Sequence, residues 1–175
     1  MTDFACVVAA DQNNGIGKHN DLPWPKLKAD LKHFRDVTSA APEGRRNAVI
    51  MGRRTWDSIP PKYRPMPERL NVVVTRGKLE VPEGVLVAGS LDDALAAAAG
   101  ASGLERVFMI GGGEMFRQSF AHPRCAEVYL TRIEAAFDCD TFIPDVRDRF
   151  VRSEILATHE EAGVRYQIER WSRMS

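Results

Sequence analysis

Asp30 lies in the stretch LKADLKHF, residues 27 to 34, where a carboxylate interrupts what is otherwise an amphipathic helical pattern. At about 100° per residue, Leu27, Leu31, Phe34 and Val37 form one apolar face. Lys28, Lys32, Arg35 and Asp36 lie opposite, and Asp30 falls between Val37 and Phe34. Two readings of it stand. Asp30 is a boundary carboxylate that reaches water or a lysine, or its two oxygens receive adjacent N–H donors from a ligand edge shaped like an amidine or guanidine.

A second kind of chemistry sits where apolar runs end. VIMGRRTW passes through Gly52 into Arg53, Arg54 and Thr55 at a helix start, VVVTRG ends in Thr75 and Arg76, and VFMIGGGEMF runs through Gly111, Gly112 and Gly113 into another helix. Beyond the carboxyl ends of strands in an open α/β sheet, helix N-termini present free amides and a dipole that favours anions. Glycines permit close backbone approach to a pyrophosphate, and arginine offers a planar fork to a phosphate monoester. Each feature alone also reads as a plain turn or a solvated basic pair. The GxGxxG pattern of Rossmann dinucleotide sites is absent, so a dinucleotide needs a different arrangement here.

The elements that must position these residues follow from the alternation of short apolar runs with helical patterns. FACVVAA, NAVIM, LNVVV, GVLVAG and RVFMI read as strands, and helices are expected after Pro25, in RRTWDSI, in SLDDALAAAAG and in GEMFRQSF. Ser90 is placed as the N-cap of the third of these helices, with Asp93 three residues on and Gly100 at its end. Pro25 at the first helical position would put Asp30 one turn inside its helix. Between the first strand and that helix, DQNNGIGKHNDLPWP reads as a mobile lid, or as a surface Ω-loop without a role. After Ala121, AEVYLTRI, FVRSEILAT and VRYQIERW suggest antiparallel strands closing the sheet, the last two joined by a turn at Gly163. The fold class is therefore α/β with a mixed, mostly parallel sheet flanked by helices.

With 175 residues and 44% hydrophobic content, a single domain over 1–175 is expected. No repeat or linker divides it. Balanced charge, 24 basic against 24 acidic residues, argues against nucleic acid or an anionic membrane surface as partner. The N-terminus reads as neither signal peptide nor spanning helix, so a soluble, cytoplasmic protein is expected. Cys6, Cys125 and Cys139 show no CxxC spacing and no neighbouring histidines, so buried free thiols are expected, and no metal.

The segments GIGKHNDLPW, AVIMGRRTWDSIP, RLNVVVTR, SLDDAL and MIGGGEMF, in this order, resemble dihydrofolate reductase, and DTFIP at 140 to 144 resembles that family's late segment. The resemblance covers nearly the whole chain. It implies an eight-stranded sheet and reduction of 7,8-dihydrofolate to tetrahydrofolate: hydride passes from NADPH to C6 while N5 gains a proton, in support of one-carbon metabolism and thymidylate synthesis. It further implies a monomer and an antifolate target. Since the chain ends just after the last expected strand, no thymidylate synthase domain is expected.

Carried over residue by residue, the resemblance gives Asp30 the pterin's 2-amino group and N3. Trp24 matches the tryptophan beside an ordered water near that acid, and Thr131 matches the threonine that bonds it. With Leu22 these form the implied catalytic set. Leu22, Leu31, Phe34, Ile59 and Met66 would wall the pterin and aminobenzoyl groups, Val8, Ala9 and Ile110 would face the pterin, and Arg69 would grip the glutamate tail's α-carboxylate. For the cofactor, Gly111, Gly112, Gly113, Glu114, Met115 and Phe116 would cradle the pyrophosphate, with a cis peptide between the first two glycines. Gly52, Arg53, Arg54 and Thr55 would flank the phosphates, Arg76 beside Thr75 would take the 2′-phosphate, and Ala9, Ile16 and Gly17 would lie against the nicotinamide. Asp30 and Leu31 are bacterial-like, whereas PPKYRPMPERL is closer to the longer vertebrate-type segment.

Three other readings compete for these residues. A reductase of ribosylaminopyrimidines would keep the fold and NADPH, but the pairing of Asp30 with Arg69 suits a pterin with a glutamate tail. A non-catalytic binder would be marked by loss of the acid, which is present. A nucleic-acid role would rest on KLKADLKHFR and GRR, which have no aromatic platform beside them.

Overall fold

The structure, a computed structural model, describes residues 2–175. Apolar runs and helical patterns alternate as β1 (Phe4–Ala10), a short β2 (Gly15–Gly17), α1 (Lys28–Ser39), β3 (Arg46–Gly52), α2 (Arg53–Ser58), β4 (Leu70–Val74) and β5 (Leu86–Ala88). The rest comprises α3 (Leu91–Ala99), β6 (Leu104–Met109), α4 (Gly113–Ala121), β7 (Cys125–Ile133), β8 (Thr141–Phe142), β9 (Phe150–Glu161) and β10 (Val164–Arg173). Eight strands form one sheet in the order β5-β4-β3-β6-β1-β7-β10-β9, and β2 pairs with β8 in a separate two-stranded sheet.

Neighbours from β5 through β7 pair in parallel, and β10 runs against both of its neighbours. The expected antiparallel closing strands are present as β7, β10 and β9, with β10 antiparallel to both of the others. On its other side AEVYLTRI lies parallel to β1, with Val8 opposite Leu130 and Ala9 opposite Thr131, because α4 carries the chain back across the sheet before β7 begins. The β9–β10 hairpin turns on Ala162 and Gly163, both in the left-handed region (φ 51° and 75°), which suits a two-residue turn. Strands β1, β3 and β4 are apolar on both faces because each face is covered. Ile50, Val72 and Met109 pack under α3 and α4, while Val49, Val73 and Phe108 pack with Trp56 on the other side. The Ser90 cap is present, with the Asp93 amide donating to Ser90 Oγ at 3.0 Å.

Helix α1 departs from expectation. It begins at Lys28 rather than Pro25, with Leu27 extended as its N-cap (φ −107°, ψ 98°). The cap is supplied from far along the chain: the Lys28 amide donates to Glu161 Oε2 at 2.8 Å and the Ala29 amide to Glu161 Oε1 at 2.9 Å. Asp30 consequently sits in the first turn. Leu27 leaves the expected stripe and is buried with Trp24, Ile133 and Tyr166.

The expected lid is tethered at its base and near its tip. Buried Asp11 accepts from the Asn13 and Gly15 amides through Oδ1 and from the Phe137 amide through Oδ2, so these hydrogen bonds hold its carboxyl below the usual range although burial opposes them. Gly15 has no room for a side chain, since a Cβ would stand 2.3 Å from Cys139 Sγ. Near the tip, Asn20 Nδ2 donates to the Arg54 carbonyl at 3.1 Å. Among the described residues no helix is long and apolar enough to cross a membrane. Cys6 and Cys125 are buried free thiols, and Cys139 is half-buried.

Candidate active site

A cavity of about 460 Å³ opens beyond the carboxyl ends of β1, β3 and β6, between α1, α2, the lid and the start of α4. One end is an apolar slot. Val8 and Ala9 of β1, Leu31 and Phe34 of α1, then Ile59, Met66 and Ile110, border it, and Leu22 of the lid overhangs it. Leu31 and Leu22 are 43% and 54% exposed, so both face the open cavity rather than the core.

Asp30 is the carboxylate of this slot. Thr131, buried on β7, donates from Oγ1 to Asp30 Oδ1 at 2.6 Å. Among the described residues Oδ2 has no partner, and Asp30 borders the cavity. Burial pushes its pKa up, opposed first by the Thr131 hydrogen bond and then by a positive His33; Glu161 pushes it further up. His33, one turn along α1, is pushed down by burial, and among the described residues its Nε2 is buried without a partner. A half-buried acid with one oxygen fixed and the other open can bind an adjacent pair of N–H donors or hold a proton.

The other end is built from backbone. Gly111, Gly112 and Gly113 border the cavity with Ile16, Gly17, Arg54, Thr55 and Phe116. The Gly111–Gly112 peptide is cis, as the resemblance implies, and the Gly52 amide donates to the Gly111 carbonyl at 2.8 Å, tying the ends of β3 and β6 together. A Cβ on Gly113 would lie 2.6 Å from Thr141 Cγ2, so the helix start can approach β8 only as glycine. Helix α4 has Gly112 as N-cap and no side-chain cap, which leaves its first amides for a ligand. Among the described residues neither Arg54 nor the exposed Arg76 has a carboxylate partner. Free amides sharing the cavity with the Arg54 guanidinium suit the phosphates of a dinucleotide, so the residues present fit such a cofactor; Arg76 lies outside the cavity lining.

Several expected residues do not border the cavity. Trp24 is 6% exposed and packs edge-on against Phe137 at 5.9 Å, inside the cluster beneath the start of α1. Arg69 bonds Thr38 Oγ1 at 2.8 Å and the Pro67 carbonyl at 2.9 Å, near the far end of α1. Arg53 is engaged by Asp57 at 3.0 Å and Glu114 by Arg117, while Met115 is buried against Gly52. Thr75 accepts the Gly77 amide at 3.2 Å in the turn that carries Arg76. Val7, Asn20, Asp21, Ser58 and Thr141 border the cavity without having been singled out. Asn20 and Asp21 lay in the lid stretch and Thr141 in DTFIP, but only the folded β2–β8 contact brings them to the site.

The family model described as Dihydrofolate reductase matches residues 3–173. The dihydrofolate reductase of Heliothis virescens is 46% identical over 145 residues, which are 80% of this chain and 78% of that protein. That of Rattus norvegicus is 40% identical over 182 aligned positions, 96% of each chain. The bifunctional dihydrofolate reductase-thymidylate synthase of Daucus carota is 49% identical over 148 residues, 81% of this chain and 28% of that protein. Among solved structures, the Schistosoma mansoni dihydrofolate reductase superposes with a TM-score of 0.87 at 33% identity, over 99% of each chain.

Proposed function

The chain belongs to the dihydrofolate reductase family, and from that premise we propose that it draws its hydride from NADPH and that Asp30 is the acid of its substrate site. It is an oxidoreductase that reduces dihydrofolate to tetrahydrofolate. The observation that carries the residue assignment is the asymmetry of Asp30, with Oδ1 bound by Thr131 and Oδ2 open to an apolar slot.

In this reading Asp30 receives the pterin's N3 and 2-amino group, and Thr131 keeps the carboxylate oriented. Leu31, Phe34, Ile59 and Met66 hold the flat rings, Val8, Ala9 and Ile110 back the pterin, Leu22 limits water at the reacting end, and Trp24 supports the start of α1 from beneath. Burial raises the Asp30 pKa and so favours a proton on the acid beside a pterin whose N5 must gain one. Arg69, set beyond Phe34 and steadied by Thr38, takes the α-carboxylate of the glutamate tail.

When bound, NADPH supplies the hydride that C6 receives. The amides of Gly112 to Met115 and the side chains of Arg54 and Thr55 hold its phosphates, with Phe116, Gly52 and Arg53 at the rim. Arg76 beside Thr75 takes the 2′-phosphate, and Ile16 and Gly17 cover the nicotinamide end. The reading extends to a monomeric, cytoplasmic protein of one domain, and to an antifolate target, since an amidine-like edge on any flat ring matches the open carboxylate.

The direct test follows the near-ultraviolet absorbance of NADPH mixed with the purified protein and dihydrofolate. Loss of absorbance that needs dihydrofolate, and is much slower with NADH, is expected. Equal rates with NADH would overturn the cofactor assignment.

A further inference from the structure

We propose that Glu161 is a positioning residue of the reaction: its carboxylate builds the first turn of α1 and stands as a fixed negative charge next to Asp30. The inference rests on the reading of Asp30 as the site's acid.

Both oxygens of Glu161 are committed to this turn. Oε2 accepts the Lys28 amide at 2.8 Å, and Oε1 accepts the Ala29 amide at 2.9 Å together with the Tyr166 hydroxyl. The residue after Ala29 is Asp30, so the acid is fixed from two sides, its side chain by Thr131 on β7 and its backbone by Glu161 on β9. Tyr166 is fully buried between them in the cluster that also takes Trp24 and Leu27. No side chain of α1 or of the loop before it caps this helix start. Without Glu161 the first amides of α1 would lack their partner, and the turn that sets the height of Asp30 over the cavity would fray. Displacements of about 1 Å at a reacting group cost on the order of 100-fold in rate.

The charge matters as well. The Tyr166, Ala29 and Lys28 hydrogen bonds hold Glu161 below its usual pKa, so it stays ionised while Asp30 titrates. The other titratable groups facing Asp30 are His33 on its own helix, His159 on β9 and Tyr166 on β10; the contact from β7 is the uncharged Thr131. Asp21 and Arg54 border the same cavity. Of these, Glu161 is the fixed anion within one residue of the acid, and it favours the protonated form of Asp30.

Carbon-13 titration of the Asp30 carboxyl, assigned by its disappearance in Asp30→Asn, reads both effects in the intact protein. In Glu161→Gln the Asp30 midpoint falls, the Lys28 and Ala29 amides exchange faster, and turnover drops. In Glu161→Asp the charge is kept on a shorter stem, so amide exchange still quickens while the midpoint stays near that of the parent. An unchanged midpoint in Glu161→Gln overturns the proposal. So does an equal fall in both variants, which would make Glu161 a helix cap alone. Failure of the Asp30 assignment itself is separate, because near-normal turnover of Asp30→Asn would reveal it without disturbing either titration.

Discussion

The two ends of the cavity are built on opposite principles. At the Asp30 end, side chains are fixed by burial: Thr131 is 3% exposed, Asp30 is bonded to it, and Trp24, Leu27 and Tyr166 pack beneath the helix start. At the glycine end, the backbone is fixed and the charges are free. Gly111 is buried and tied to Gly52, whereas Arg54 and Arg76 stand in solvent without carboxylate partners among the described residues. The first arrangement places one acid accurately and lets burial tune it. The second gives adjustable positive charge around a rigid set of amides, which suits a flexible, phosphate-rich ligand.

The largest effect should come from the buried end. Asp30→Asn is expected to keep NADPH binding and to lower turnover at neutral pH on the order of 100-fold or more, as loss of a positioned acid does. The same variant should change the pH dependence of stability. An acid whose pKa is raised on folding binds more protons folded than unfolded, so its contribution to stability falls as pH rises from the ordinary Asp value through the raised one. Urea denaturation at a series of pH values should show that fall in the parent and a flatter profile in Asp30→Asn. Near-normal turnover in the variant would place the two ends on the same footing.

A smaller, selective effect belongs to the rim. Arg76→Ala should weaken NADPH roughly tenfold or more, the range expected for a charge-assisted contact to phosphate, and leave NADH nearly unchanged. Fluorescence titration with each nucleotide compares them, and equal weakening would remove the 2′-phosphate from Arg76.

The sequence was most legible where local rules decide. Short apolar runs such as AVIM and VVV read as strands and fold as β3 and β4, and Ser90 capped its helix through its own neighbour at Asp93. It was least legible where the partner lies far along the chain. Nothing near Pro25 reveals that Glu161 sets the start of α1, and GIG and TF are too short and too poor in alternation to announce β2 and β8 as a pair. The same limit applies within the site. Asp30 was found because a carboxylate beside an apolar stripe breaks a pattern, but Asn20 and Ser58 are ordinary polar residues of loop and helix that break none. Arg53 and Arg54 were equivalent in sequence, and the fold separates them by giving Asp57 to Arg53.

That separation supplies the finest test of the contrast. Arg53 Nε lies 3.0 Å from Asp57 Oδ2, with the two side chains 43% and 48% exposed, an i,i+4 pair on the surface of α2. Such pairs contribute only about 0.3–0.5 kcal/mol, so Asp57→Asn should fold with little loss of stability. It would also release Arg53 and remove a negative charge from the phosphate rim. If the rim works by solvated, adjustable charge, NADPH affinity should rise roughly two- to threefold near 0.1 M salt, where charges within about 10 Å still act on one another. Near 1 M salt, with screening at about 3 Å, the gain should vanish. The buried end offers the control, because the turnover loss of Asp30→Asn should barely respond to the same change in salt. A gain in Asp57→Asn that persists at high salt would mean that Arg53 acts through a fixed contact, and the rim would then be as preorganised as the acid.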